Sequence, residues 1–198
     1  RALDLINRTN DYRPEQSPKH ERSKDIFSDR VLDRTNRVVG EVRDLALDKN
    51  GVIQSVDIEF DRLRLPVDRL SVNYRELGIR PVSNGYKMNY TDDQLEELVP
   101  DLLAGLETAA GNDEEIRSLR KIIGQKISAK DGRVRGRGED VLFDSLGARA
   151  EMLFVSMTSR NLRGETLAIP FSESDFIKNG FVFSNAMADA MIDYAREK

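Results

Sequence analysis

Two aspartates carry the sharpest polar signal in this sequence. Asp44 and Asp140 stand at the same point of a stretch that occurs twice. Gly40-Glu41-Val42-Arg43-Asp44-Leu45-Ala46-Leu47-Asp48 returns 96 positions later as Gly136-Arg137-Gly138-Glu139-Asp140-Val141-Leu142-Phe143-Asp144. Paired carboxylates can serve as oxygen ligands for a hard cation. They can equally accept backbone N–H bonds where a strand bulges. Each aspartate here interrupts an apolar strand-forming run, and the structural role is the one expected. Asp48 and Asp144 read as turn openers. Asp48-Lys49-Asn50-Gly51 lacks the later ligands and closing glutamate of a calcium loop.

The arginines of Gly132-Arg133-Val134-Arg135-Gly136-Arg137-Gly138 are the second candidate. The segment has neither the Gly-Lys-Ser/Thr ending nor the following helix of a phosphate loop. Its register with the first copy makes it a strand, so Arg133, Arg135 and Arg137 project on one face by period two. Such a face is either simply solvated or turned toward an anionic or acidic partner. Met157, Arg160 and Arg163 join this set, because they lie in the stretch from Met157 to Gly164 in which the copies are expected to differ.

Other chemistry is sparse. His20 is the single histidine and lies in a polar leader, so a Ser-His-Asp arrangement would be poorly pre-organised. Cysteine is absent, which removes disulfides, thiol nucleophiles and thiolate metal sites. The net charge of −4 argues against general nucleic-acid binding, which needs a basic surface. Charge is nevertheless segregated. Residues 92–115 hold nine acids and no base, whereas 117–137 hold eight bases and one acid, Asp131. The acidic stretch could fold back on the basic strand or meet it in another copy, head to tail.

The elements that must position these residues follow from periodicity. Val56, Ile58 and Phe60 alternate with Asp57, Glu59 and Asp61, the pattern of a half-buried strand. Asp48 to Gly51 and Lys130 to Arg133 read as hairpin turns. Leu63-Arg64-Leu65-Pro66-Val67 reads as a closing strand, matched by Ile169-Pro170-Phe171. That match implies an insertion of about eight residues in the second copy, between Met157 and Gly164, in a loop that tolerates it. Thr91-Asp92-Asp93-Gln94 is a capping box, followed by Leu95, Leu98, Val99, Leu102, Leu103 and Leu106 at helical spacing. Pro100 predicts a kink or two short helices, and Gly111-Asn112 ends the segment. A last helix starts near Ser184, with Met187, Ala190, Met191 and Tyr194 on one face.

Both copies resemble the PRC-barrel, the small β-barrel of the soluble part of the photosynthetic reaction-centre H subunit and of a ribosome-maturation factor. The residues that carry the resemblance are Asn36 to Asp48, Gly51 and Leu65-Pro66-Val67, then Gly132 to Asp144, Gly147 and Ile169-Pro170-Phe171. Gly40, Asp44, Gly51 and Pro66 correspond to Gly136, Asp140, Gly147 and Pro170. Two departures stand out: Ser28 occupies the place of Gly124, and Gly138 replaces the apolar Val42. The second departure predicts a looser second copy, or one that accepts a partner there.

The fold class expected is mainly β with an α connector: two small antiparallel PRC-barrel-like β-barrels joined by a helical linker, with a C-terminal helix. The division is a tail over 1–22, a first barrel over 23–85, an acidic connector over 86–115, a second barrel over 116–183 and a helix over 184–198. The resemblance implies a non-enzymatic adaptor or assembly protein that uses no cofactor. It would bind protein partners, at a membrane-associated complex or as a homo-oligomer. An RNA or ribosome-assembly factor is the alternative. No apolar run reaches the ~18 residues of a membrane-spanning helix. The chain begins at Arg1, so a removed signal peptide would place it in a bacterial periplasm, and a trimmed start in the cytoplasm.

Overall fold

The computed structural model describes residues 22–61, 63, 68–83, 85–109, 116–144, 148–178 and 180–197, with side chains for all of these except 102–109 and 197. The expected tail with His20, the Leu65-Pro66-Val67 strand, the Gly111-Asn112 break and Gly147 lie outside the described residues.

The molecule is mainly β, in two sheets built alike. A short helix α1 (Ser23–Ile26) precedes β1 (Arg30–Leu32), β2 (Val38–Asp48), β3 (Ile53–Phe60), β4 (Arg69–Asn73), β5 (Arg80–Val82) and β6 (Gly85–Lys87). Helix α2 (Asp92–Ala109) follows. The second unit is introduced by β7 (Ile116–Ser118) and α3 (Leu119–Ile122). It continues with β8 (Lys126–Ala129), β9 (Arg135–Phe143), β10 (Ala150–Met157), β11 (Thr166–Pro170), β12 (Ser174–Ile177), β13 (Gly180–Phe183) and α4 (Asn185–Glu197). The strand orders are β4-β3-β2-β1-β6-β5 and β11-β10-β9-β8-β13-β12. The hydrogen-bonded path is open in each sheet, running from β4 to β5 and from β11 to β12.

The likeness extends to register. Gly40 faces Phe60 where Gly136 faces Met157, and Leu45 faces Val56 where Val141 faces Leu153. Both long hairpins skip the residue just before the repeated aspartate, Arg43 in one and Glu139 in the other. Ser28 and Gly124 share a left-handed backbone (φ 81° and 85°), so the first departure noted above changes the side chain and not the path.

Two expectations are corrected here. First, β4 pairs β3 as β11 pairs β10: Glu59 faces Arg69 and Ser156 faces Thr166. The intervening segments, 61–68 and 158–165, are therefore equal in length, and the second copy carries no insertion near Met157 to Gly164. The apolar-Pro-apolar triplets aligned a strand end with the segment ahead of β4; three residues do not set register, whereas a ladder does. Second, the sheets are not wholly antiparallel. β6 runs parallel to β1, and β13 parallel to β8. In each unit four other strands separate the parallel pair in sequence, so no tight turn forces the two to run antiparallel.

Each unit ends in a helix. The capping box forms: Gln94 N donates to Thr91 Oγ1 at 3.4 Å and Thr91 N to Gln94 Oε1 at 3.1 Å. Of the two outcomes expected at Pro100, a kink or two short helices, the second does not occur: α2 is one helix that contains Pro100. A proline removes one i→i−4 bond. Buried Leu95 and Val99, both ahead of the proline, hold the helix to the core. In α4, Met187 and Met191 are buried and Met187 N is capped by Ser184 Oγ at 3.2 Å.

The units interlock. The chain entering the second unit first pairs with the first: β7 lies against β2, with Ser118 opposite Ala46. The chain entering the first unit bridges the second, with Arg22 opposite Leu142. Those four positions are equivalent pairs, so the exchange is reciprocal. A third junction joins the hairpin turns, where Ala150 N donates to Gly51 O at 2.8 Å. A single apolar core runs through both units, from Ile26 and Val31 to Phe183 and Met191.

Candidate functional site

Asp44 and Asp140 sit at the reciprocal exchange. Asp44 is 7% exposed and accepts bonds from Leu45 N (2.9 Å), Arg120 N (3.2 Å) and Ser118 Oγ, the last two from the other unit. Asp140 is 5% exposed and accepts from Val141 N (2.9 Å), from Ser23 Oγ and from Arg22 Nε (2.5 Å). Each carboxylate thus closes its own strand bulge and binds the leading segment of the opposite unit. Its lone pairs accept N–H and O–H donors, which is the structural role expected from sequence. Two cations reinforce the joint: Arg22 lies 4.2 Å over the Phe154 ring and Arg120 4.3 Å over Phe27. Among the described residues no group of three or more His, Cys, Asp or Glu side chains converges to hold a metal.

The turn aspartates behave as expected. Asp48 accepts from Asn50 N and Val52 N at 2.8 and 2.9 Å, and Asp144 from Ala148 N at 2.9 Å. Gly40 and Gly136 are required by close packing: a Cβ on Gly40 would stand 2.2 Å from Glu59 O, and one on Gly136 2.5 Å from Val155 Cγ1. Gly138 is a correction. It is buried, and a Cβ there would stand 2.5 Å from Ile122 O. The volume of Val42 is filled by the α3 backbone, so neither looseness nor a partner site exists at that point.

The arginine set is partly brought together. Arg135 and Arg137 alternate with buried Val134, Gly136 and Gly138 and lie on the solvent face of β9. Arg135 Nε donates to Gly132 O at 3.0 Å, and an Arg137 guanidinium N–H donates to Gly124 O at 3.3 Å. Arg133 precedes the strand and is engaged by Asp131 (2.7 Å) and by Asp189 of α4 (2.8 Å). Both partners raise its pKa, Asp131 more than Asp189. Arg160 and Arg163 are exposed in the turn after β10, which is tied to β9 by Thr158 N donating to Arg135 O at 2.8 Å. Met157 does not belong to the set: it is 2% exposed and faces the core opposite Gly136. It is the last core residue of β10.

Sequence reasoning missed Lys126. The β8–β9 register puts it directly opposite Arg137, with Ser128 opposite Arg135. On the other side Arg137 faces Ser156. The same rows in the first unit place Arg30 opposite Glu41 and Glu41 opposite Glu59. There the charges cancel locally: Arg43 pairs with Glu41 at 3.1 Å and Glu59 at 2.5 Å, and Arg69 with Asp57 at 2.6 Å. In the second unit Glu139 accepts from Thr166 Oγ1 at 3.0 Å. No signal in the sequence pairs Lys126 with Arg137, because pairing needs the ladder.

These features define a two-unit β protein with one charge-balanced sheet face and one basic face. No protein-family model matches the chain, and no curated protein matches it either. No helix among the described residues is long and apolar enough to cross a membrane.

Proposed function

We propose that the protein is a non-enzymatic adaptor or assembly factor, and that the solvent face of β8 and β9 docks an acidic protein surface. The observation that carries this reading is the opposed pair Lys126 and Arg137, where the equivalent pair in the other unit is Arg30 and Glu41. Like charges directly opposite across a ladder destabilise it. A partner carboxylate placed between them relieves that repulsion, so the face is better satisfied bound than free. Small Ser128 and Ser156 flank the arginines and leave room for such a partner. Each unit is proposed to be a PRC-barrel-type module whose open path is closed by side-chain packing. Membrane-associated complexes, in periplasm or cytoplasm, are the setting the resemblance suggests.

Cross-linking pull-downs with the wild-type protein and R135E/R137E test the reading. The expected result is a protein partner captured at low salt, released at high salt and lost with the double variant. Equal capture by both forms refutes it. Filter binding to RNA across a salt series addresses the alternative, since the logarithm of an RNA factor's affinity falls linearly with log salt.

A further inference from the structure

The chain carries its own complement to this face. In α2, Leu95 and Val99 are buried, while Asp93, Glu97 and Asp101 are exposed along the opposite side. They recur every fourth residue, so their carboxylates advance by about 6 Å along the helix. Arg135 and Arg137 are two residues apart on a strand and advance by about 6.7 Å. The two charge rows therefore match in spacing as well as in sign.

Comparison of the two units shows that this complementarity is divided between them. In the second unit, helix α4 is charge-mixed and bound to its own sheet turn by Arg133–Asp189. In the first, α2 touches its own turn through its N-terminal Asp92, 3.5 Å from Arg37. The acids further along it face away from the core that Leu95 and Val99 join. The first unit thus has a helix with acids and no base and a charge-balanced sheet face, and the second a charge-mixed helix and a basic sheet face.

We infer that the basic β8–β9 face of one molecule binds the acidic outer face of α2 of a second copy. This rests on the reading of that face as a docking surface and names its occupant. The two surfaces are different, so the contact is heterologous and propagates head to tail, into chains or a closed ring. Charge sets orientation and salt dependence more than affinity, so the contact is weak and reversible.

The test uses purified protein alone, which separates it from the search for other partners. Sedimentation velocity is run over a concentration series at low and high salt. We expect wild-type mass to rise with concentration at low salt, with an association constant about tenfold lower near 0.3 M, where screening is short-ranged. R135E/R137E and E97K/D101K are each expected to remain monomeric. Mixed one to one, they are expected to associate again, because each reversed surface now meets its opposite. That recovery also proves both variants folded. Wild type that stays monomeric at low salt, or a mixture that does not recover association, overturns the inference. In that case a retained protein partner in the pull-down leaves the adaptor reading standing.

Discussion

Removing the Asp44 carboxylate should uncouple the two halves of the molecule. In Asp44→Ala, the Leu45 N–H, the Arg120 N–H and the Ser118 hydroxyl lose their acceptor at a site only 7% exposed. A buried donor left unsatisfied costs about 1–3 kcal/mol. Ser118 and Arg120 are partly reached by water, and deleting the carboxylate also removes its own desolvation penalty. The net expectation is about 2–4 kcal/mol, a large share of the roughly 5–15 kcal/mol that stabilises a protein. Asp140→Ala should cost a similar amount, since it strips Ser23, Val141 and Arg22 of the same acceptor. Ser118→Ala removes two bonds, the one to Asp44 and the cap that its Oγ gives Lys121 N, and should cost about 1–2 kcal/mol. Urea unfolding at constant m-value measures these changes. A double-mutant cycle between Asp44→Ala and Ser118→Ala should show a coupling of at least about 0.5 kcal/mol. An exposed control, Asp175→Ala, should stay within about 0.5 kcal/mol. If Asp44→Ala behaves like that control, or the cycle shows no coupling, the reciprocal latch does not hold the units together.

Four further outcomes follow from the same geometry. Fragments 22–109 and 116–197 should each fail to unfold cooperatively alone and should regain a cooperative transition when mixed, read by circular dichroism, because each needs the leading segment of the other. Gly138→Val should destabilise by about 1–3 kcal/mol although Val42 occupies the equivalent place, since its Cβ would meet Ile122 O at 2.5 Å; an unchanged urea midpoint would contradict this. Tyr74 is held to about 12, first by burial and then by Asp144. Its proton leaves the unfolded chain near pH 10, so stability should fall between about pH 10 and 12, and Tyr74→Phe should delete a step near pH 12 from an ultraviolet titration. Asp33 is raised by burial, but more strongly lowered by donors from Arg37 and Thr35, so its pKa lies below the ordinary value. That contribution is present above about pH 4 and lost as pH falls through the lower folded value; Asp33→Asn should flatten this acid limb in urea midpoints.

What could be read from the sequence was local or repeated. The alternation of Val56, Ile58 and Phe60 placed β3, and the Thr91–Gln94 box placed the start of α2. The constant offset of 96 gave the duplication and singled out Asp44 and Asp140 as structural. What escaped was decided by register and by contacts between the units. The alignment of Leu65-Pro66-Val67 with Ile169-Pro170-Phe171 invented an insertion, because three residues outweighed a ladder that the sequence does not display. Met157 was assigned to a binding surface for the same reason. Lys126 was overlooked because its neighbour Arg137 lies across a strand pair, not along the chain.

The exchange explains why the copies agree where they do. Positions at the joint must satisfy both units at once: Asp44 takes Ser118 and Arg120 from the second, and Asp140 takes Arg22 and Ser23 from the first. A change at either aspartate breaks bonds to both units at once, so each site is held in place. The solvent faces carry no such constraint. Glu41 and Arg137 occupy the same place in the ladder, yet the first is neutralised by Arg43 and the second faces Lys126. Duplication with a fixed joint therefore leaves the sheet faces as the surfaces on which the two units can acquire different partners. The charge contrast between them is the difference to pursue.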